Sequence, residues 1–175
     1  MNLSIKRLVT AAACLALCLV LPFLTGQIPR IGSALAPMHL PVLLGGFLCG
    51  PWWAMAVGLI APPLRFALFG MPPFPAYAAM AFELAAYGLV CGLLYRHLPR
   101  STGGVYASLV GAMLAGRAVW GLAMWTILGL QGGSFPWSAF VAGAFVNALP
   151  GIAVQLVLIP ALVLALRNSG FFRET

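Results

Sequence analysis

Long uninterrupted apolar runs, separated by short clusters of Gly, Pro, Arg and Ser, organise this chain. The runs fall at about Leu8–Leu24, Met38–Cys49, Trp52–Phe69, Ala76–Tyr95, Val105–Leu130 and Phe135–Leu166. They are continuously apolar rather than alternating, a pattern that predicts helices and not barrel strands. Roughly 20 residues cross a bilayer as a helix, so the pattern predicts about six spans. The second run is short and ends at Gly50-Pro51. The third contains Pro62-Pro63, which predicts a kink or a break, because a helix-interior proline removes a donor and crowds the preceding turn. The last run is too long for one straight span and contains Pro150 and Pro160. No internal repeat or second domain is visible. The expected architecture is an all-α membrane protein, one integral membrane domain over residues 1–175.

Composition agrees with lipid as the solvent. Of the 175 residues, 63% are hydrophobic and 6% charged, against roughly a quarter charged in a soluble domain. The net charge of +7 is not a nucleic-acid footprint, because the charges are sparse and lie mostly at run ends, where they orient a membrane protein. With six spans, Lys6, Arg7, Arg96, Arg100, Arg167 and Arg173 fall on one side and Arg30 on the other. Both termini of this multi-pass protein are therefore expected in the cytoplasm. Lys6-Arg7 before an apolar run resembles a signal peptide, but Leu21 to Gln27 lacks a small-x-small cleavage site, so the run is kept as the first span. Cys14, Cys18, Cys49 and Cys91 all lie in apolar runs without metal-ligand company and read as small buried hydrophobes.

Three ionisable residues lie inside predicted spans: Arg65, Glu83 and Arg117. Each costs about 2.5–3.5 kcal/mol or more at the bilayer centre and is expected to face the bundle interior. A structural ion pair is the plain reading, yet one carboxylate cannot satisfy two arginines, and the surplus positive charge calls for an anionic partner such as a substrate carboxylate or phosphate. Other polar groups are expected at the same level. His39 opens the second run, where an interfacial role is the alternative. Asn147 lies in the last run, with a buried amide's need for partners. Gln131 stands at the external turn, and Gln155, deeper, reads as a helix–helix contact. Tyr87 follows Glu83, and Trp120 follows Arg117, by one turn on the same face. They suit an aromatic-walled pocket, or simple aromatic packing.

Absences narrow the chemistry. Lys6 is the one lysine and no G-x-x-x-x-G-K-[ST] occurs, so the chain has no P-loop for ATP hydrolysis. There is no H-E-x-x-H, and no pair of acidic residues in the spans for metal catalysis. No cofactor and no metal site is expected, and the chain does not read as an enzyme. In the first run, Ala12-x-x-x-Ala16 places small residues one turn apart, which lets another helix approach closely.

Taken together, the size, about six spans, cytoplasmic termini, long first external loop and Ala12-x-x-x-Ala16 resemble the substrate-binding S component of an energy-coupling factor (ECF) vitamin transporter. The stretches Met38–Pro51, Met80–Gly88 and Asn147–Gln155 are also similar to members of that family. The resemblance implies a high-affinity binding subunit for a small water-soluble vitamin or precursor. It places the site near the external face, closed by the loops after spans 1, 3 and 5. The expected substrate-binding residues are Arg65, Glu83, Arg117, Asn147, His39, Tyr87 and Trp120. It also implies docking of Ala12 and Ala16 on a transmembrane scaffold subunit, with two cytoplasmic ATPases completing the assembly. Two arginines against one glutamate lean toward an anion such as pantothenate; a pyrimidine or pyridoxine-like vitamin fits if Glu83 neutralises one of them. The alternatives are a membrane accessory or assembly protein without a transport role, and a membrane enzyme using Glu83 as general base, which would lack a metal or nucleophile partner.

Overall fold

A computed structural model describes residues 3–25 and 35–169. Among these residues seven α-helices follow in chain order: α1 (Leu3–Val20), α2 (His39–Leu48), α3 (Pro51–Phe69), α4 (Ala76–His97), α5 (Thr102–Leu130), the short α6 (Trp137–Val141) and α7 (Leu149–Asn168). Five stretches are long and apolar enough to cross a membrane, the last of them comprising α6 and α7 together, and α2 is a shorter apolar helix. The chain is thus an all-α membrane bundle, as its apolar runs predict. Arg30 and Arg173 lie outside the described residues, as does most of the loop following the first span.

The short second helix is central to the architecture. Ten residues rise only about 15 Å, half the hydrocarbon thickness. His39, Pro41, Val42, Leu43, Gly45, Gly46 and Phe47 are all buried, the pattern of a helix surrounded by others rather than by solvent. It packs against α1, α3, α4 and α7. The four cysteines close around it. Gly45 lies beside the thiols of Cys14 and Cys49, and Gly46 beside Cys91. Cys18 Sγ donates to Met38 O at 3.5 Å and Cys91 Sγ to Leu43 O at 3.6 Å. These are weak bonds that a small polarisable side chain makes at little steric cost.

Around α2, the outer helices are neighbours in the order α1, α3, α4, α5, α7. The α3–α4 contact is a close one, because glycine removes the side chains that would hold the backbones apart. A Cβ on Gly58 would stand 2.4 Å from the Leu84 backbone, and one on Gly88 2.5 Å from the Ala54 carbonyl. This is the small-residue packing expected where lipid gives helices no hydrophobic drive to associate.

Of the kink or break expected at Pro62-Pro63, the break does not occur, and the last run is, as expected, not one straight helix. Pro62-Pro63 does not break the third span: α3 runs unbroken from Pro51 to Phe69 with Pro62 fully buried. Neighbouring helices and side chains can accommodate the freed backbone groups of an intramembrane proline. The long last span is interrupted, but before its prolines. A π-helical turn spans Ala142–Val146, closed by Asn147 N–H bonding Ala142 O at 2.9 Å, and α7 begins just beyond it with Pro150 in its first turn. There the missing proline donor costs nothing.

The charged ends sort as the sequence predicts. Arg7, the α2–α3 turn, Arg96 and Arg100 border one cleft, and Arg167 at the end of α7 donates to the Arg100 carbonyl. The start of α1 and the end of α7 therefore share one end of the bundle.

Candidate functional site

Among the described residues, the buried charged groups of the spans fall into two separate places. The first is built on α2, α4 and α5. α2 starts deep in the bundle, so its first residue, His39, is 2% exposed instead of lying at an interface. Glu83, on the second turn of α4, and Arg117, halfway along α5, are 2% and 8% exposed. Arg117 Nη1 stands 2.9 Å from Glu83 Oε1, and His39 Nε2 stands 3.4 Å from the same oxygen. Tyr87, one turn after Glu83, is fully buried and close enough to feel the charges of both Glu83 and Arg117. Its ring meets His39 edge-on at 5.3 Å between centroids.

The cluster is compact but under-satisfied. Glu83 and Arg117 are close enough to attract strongly, yet the N–H bonds are not aligned on Oε1. Glu83 Oε1, both ring nitrogens of His39, the Tyr87 hydroxyl and Arg117 Nε have no hydrogen-bond partner. Each unpaired buried polar group costs about 1–3 kcal/mol. Four of these atoms surround the carboxylate that carries the fifth, a set of donors and acceptors that one common partner could satisfy. The cluster sets one carboxylate against one guanidinium.

Tyr87 is held in place by a close approach. Gly116, the residue before Arg117, lies against the Tyr87 ring, where a Cβ would stand 2.0 Å from two ring carbons. Only glycine leaves room for the phenol between α4 and α5.

The second place is the far end of α1, where Arg65 lies. The expected meeting of Arg65 with Glu83 and Arg117 does not occur. Arg65 is 3% exposed and its Nη1 donates to the carbonyl of Leu19. Its guanidinium lies 4.9 Å from the Phe23 ring centroid and 5.1 Å from that of Phe69. The sequence of α1 explains the acceptor. Past Val20 the chain tightens into a 3-10 turn, Leu21–Thr25. In such a turn the carbonyl of Leu19 would look to residue 22, which is proline and has no N–H. The positive side chain of α3 supplies the missing donor at the negative end of the helix dipole. Arg65 therefore ties α3 to α1.

The remaining expected residues also separate from the cluster. Trp120 is half-buried and packs with Phe135 (5.8 Å) and Phe140 (6.3 Å) in an aromatic group between α5 and α6. Asn147 is exposed at the end of the π turn. Ala12 and Ala16 are exposed on the outer face of α1, while Ala11, Cys14 and Cys18 face inward. Gln155, read as a helix–helix contact, is fully buried with neither amide atom hydrogen-bonded. Its depth in the last run, two turns past Asn147, is the signal that could have raised its standing. Among the described residues no group of three or more His, Cys, Asp or Glu is placed to hold a metal ion.

The sequence model of the family described as ECF transporter, substrate-specific component, matches residues 6–163. No curated protein and no solved structure matches the chain.

Proposed function

Because this chain belongs to the substrate-specific components of ECF transporters, we propose that it captures a small water-soluble vitamin or vitamin precursor and delivers it to an ATP-driven module. That module would comprise a transmembrane scaffold subunit and two cytoplasmic ATPases, since this chain carries no P-loop of its own. The membrane in question is the plasma membrane of a prokaryote, with the arginine-rich end of the bundle in the cytoplasm.

The observation that carries the ligand-binding reading is the orphaned cluster of His39, Glu83, Tyr87 and Arg117. Substrate sites combine an apolar enclosure with a few convergent polar groups, and here those groups converge inside a bundle of otherwise apolar side chains. The pairing of Glu83 with Arg117 bears on substrate class. With Arg65 committed to Leu19, the cluster has one cation against one anion. That balance favours a neutral ligand rich in donors and acceptors, pyrimidine-like or pyridoxine-like, over a pantothenate-like anion. Tyr87 and His39 supply the aromatic faces for such a ring.

Exposure of Ala12 and Ala16 on α1 supports the docking role, because a helix face of small residues admits a partner backbone closely. The Gly70–Pro75 segment between α3 and α4 is the proposed flap over the site. Phe74 and Tyr77 pack edge to face at 6.0 Å, and Tyr77 stacks on Phe66 at 4.4 Å. These contacts suit a stiff unit that moves as one piece.

The test is equilibrium binding of candidate vitamins to the purified protein. A neutral heteroaromatic vitamin should bind tightly and pantothenate weakly or not at all. If no vitamin binds, while the protein co-purifies with other membrane proteins, the accessory-protein reading replaces this one.

A further inference from the structure

At the arginine-rich end of the bundle a cleft of about 310 Å³ opens between the start of α1, the α2–α3 turn and the last turns of α4. Three arginines border it from separate parts of the chain: Arg7 on α1, Arg96 on α4, and Arg100 in the loop beyond. All three are exposed, and none has a carboxylate partner among the described residues. The composition explains why. The whole chain has 2 acidic side chains; Glu83 is committed to Arg117 at mid-bundle, and Glu174 lies by the C-terminus.

The backbone adds to the positive potential. α3 starts at the cleft, with Gly50 as its N-cap (φ +89°), no side chain capping it, and Pro51 in the first turn. The amide hydrogens of Trp52 and Trp53 therefore have no acceptor within the helix, and the positive end of the α3 dipole lies at the cleft. Two aromatic side chains border the same opening, Trp52 at 64% and Trp53 at 37% exposure. Tryptophan is concentrated at the depth of lipid headgroups, where an apolar ring and a polar N–H are both satisfied.

We propose that this cleft binds the phosphate headgroup of an anionic phospholipid from the cytoplasmic leaflet. Arginine grips phosphate oxygens through paired N–H bonds, and three of them around one volume supply more positive charge than a single phosphodiester neutralises. The occupant is a lipid and not a soluble phosphate because the cleft lies at the end of a membrane bundle, walled by interfacial tryptophans beside apolar helix faces that would receive the acyl chains. Basic pockets between transmembrane helices on the cytoplasmic side take anionic headgroups in the same way.

Native mass spectrometry of the detergent-purified protein tests this directly, using phosphatidylglycerol, phosphatidylcholine and glycerol 3-phosphate as probes. Phosphatidylglycerol should be retained roughly a hundredfold more strongly than phosphatidylcholine, the scale expected of three cations near an anionic headgroup. The triple substitution R7Q/R96Q/R100Q should abolish that preference, whereas R167Q, which alters an arginine of the same end outside the cleft, should keep it. The three cleft arginines are exposed and Arg167 is half-buried, and an unchanged elution profile and melting temperature will show that the triple variant is folded. If it does not fold, the three single substitutions should each weaken retention while R167Q does not. Equal retention of the two lipids, or a triple variant that keeps the preference, overturns the proposal. Glycerol 3-phosphate binding as tightly as the lipid would assign the cleft to a soluble phosphate and overturn the lipid assignment.

Discussion

Arg117 and Arg65 are both buried in this bundle, yet their surroundings have little in common. Arg117 stands at mid-bundle against a carboxylate, beside a histidine and a tyrosine whose polar atoms have no partners. Arg65 is held by a helix-end carbonyl and by two phenylalanine rings. In one place the charge is balanced but the hydrogen-bonding capacity is unspent; in the other a lone cation is absorbed by a carbonyl, a helix dipole and two ring faces. A buried arginine in a membrane span is thus not by itself a sign of a binding site. What separates the two is the number of unpartnered polar atoms within reach.

The contrast can be broken most forcefully at the ion pair. Arg117→Ala leaves Glu83 buried and uncompensated, a change that costs about 3–5 kcal/mol. A large fall in melting temperature in detergent is expected, and Glu83→Gln combined with Arg117→Ala should recover much of it. If Arg117→Ala melts like the wild type, the pair is not a structural unit.

A smaller effect is expected at Gly116. The added methyl of Gly116→Ala would meet the Tyr87 ring at 2.0 Å, so Tyr87 must move. Overpacking of this kind costs about 1–3 kcal/mol. Ligand affinity should fall because the phenol is displaced from the cluster, while Gly111→Ala, farther from it along α5, should leave affinity unchanged. Equal affinities in the two variants would remove Tyr87 from the site.

At the second arginine, Arg65→Gln, whose amide keeps a hydrogen-bond donor, should cost about 1–2 kcal/mol through the loss of two cation–π contacts, with ligand affinity preserved. Proteolysis or hydrogen exchange should show the loss concentrated at the end of α1. The smallest effect on the isolated protein is expected on its outer face. Ala12→Leu and Ala16→Leu should leave stability and ligand binding unchanged and reduce transport by the assembled complex. Parallel loss of binding and transport would place these residues at the site instead.

The spans and their ends were legible because lipid imposes a simple rule, about 20 apolar residues between charged or turn-forming punctuation. The brevity of the second helix was legible too, from Gly50-Pro51. Its burial at the centre was not, since an apolar run beside other apolar runs gives no sign of which one is surrounded. In the buried cluster, Glu83 and Arg117 were readable from their cost in lipid, Tyr87 from its spacing, and His39 from its place at the start of the second run. Arg65 was misplaced because its partner is a backbone carbonyl, and only the combination of Pro22 with the 3-10 turn leaves that carbonyl free. Asn147 was expected in the cluster from its depth in the last run and a buried amide's need for partners, yet it is exposed at the end of a π turn that the apolar pattern does not announce. The π turn at Ala142–Val146 inserts an extra residue and turns the following face by about 100°.

The central claim is that the mid-bundle cluster, and not Arg65, holds the substrate. Equilibrium binding of the tightest-binding vitamin to purified Arg117→Ala/Glu83→Gln and Arg65→Gln, at fixed salt, tests it most directly. The cluster variant should lose at least about tenfold in affinity, the scale of one lost charged hydrogen bond, while Arg65→Gln binds like the wild type. Wild-type affinity in the folded cluster variant, or a greater loss in Arg65→Gln, would contradict the account.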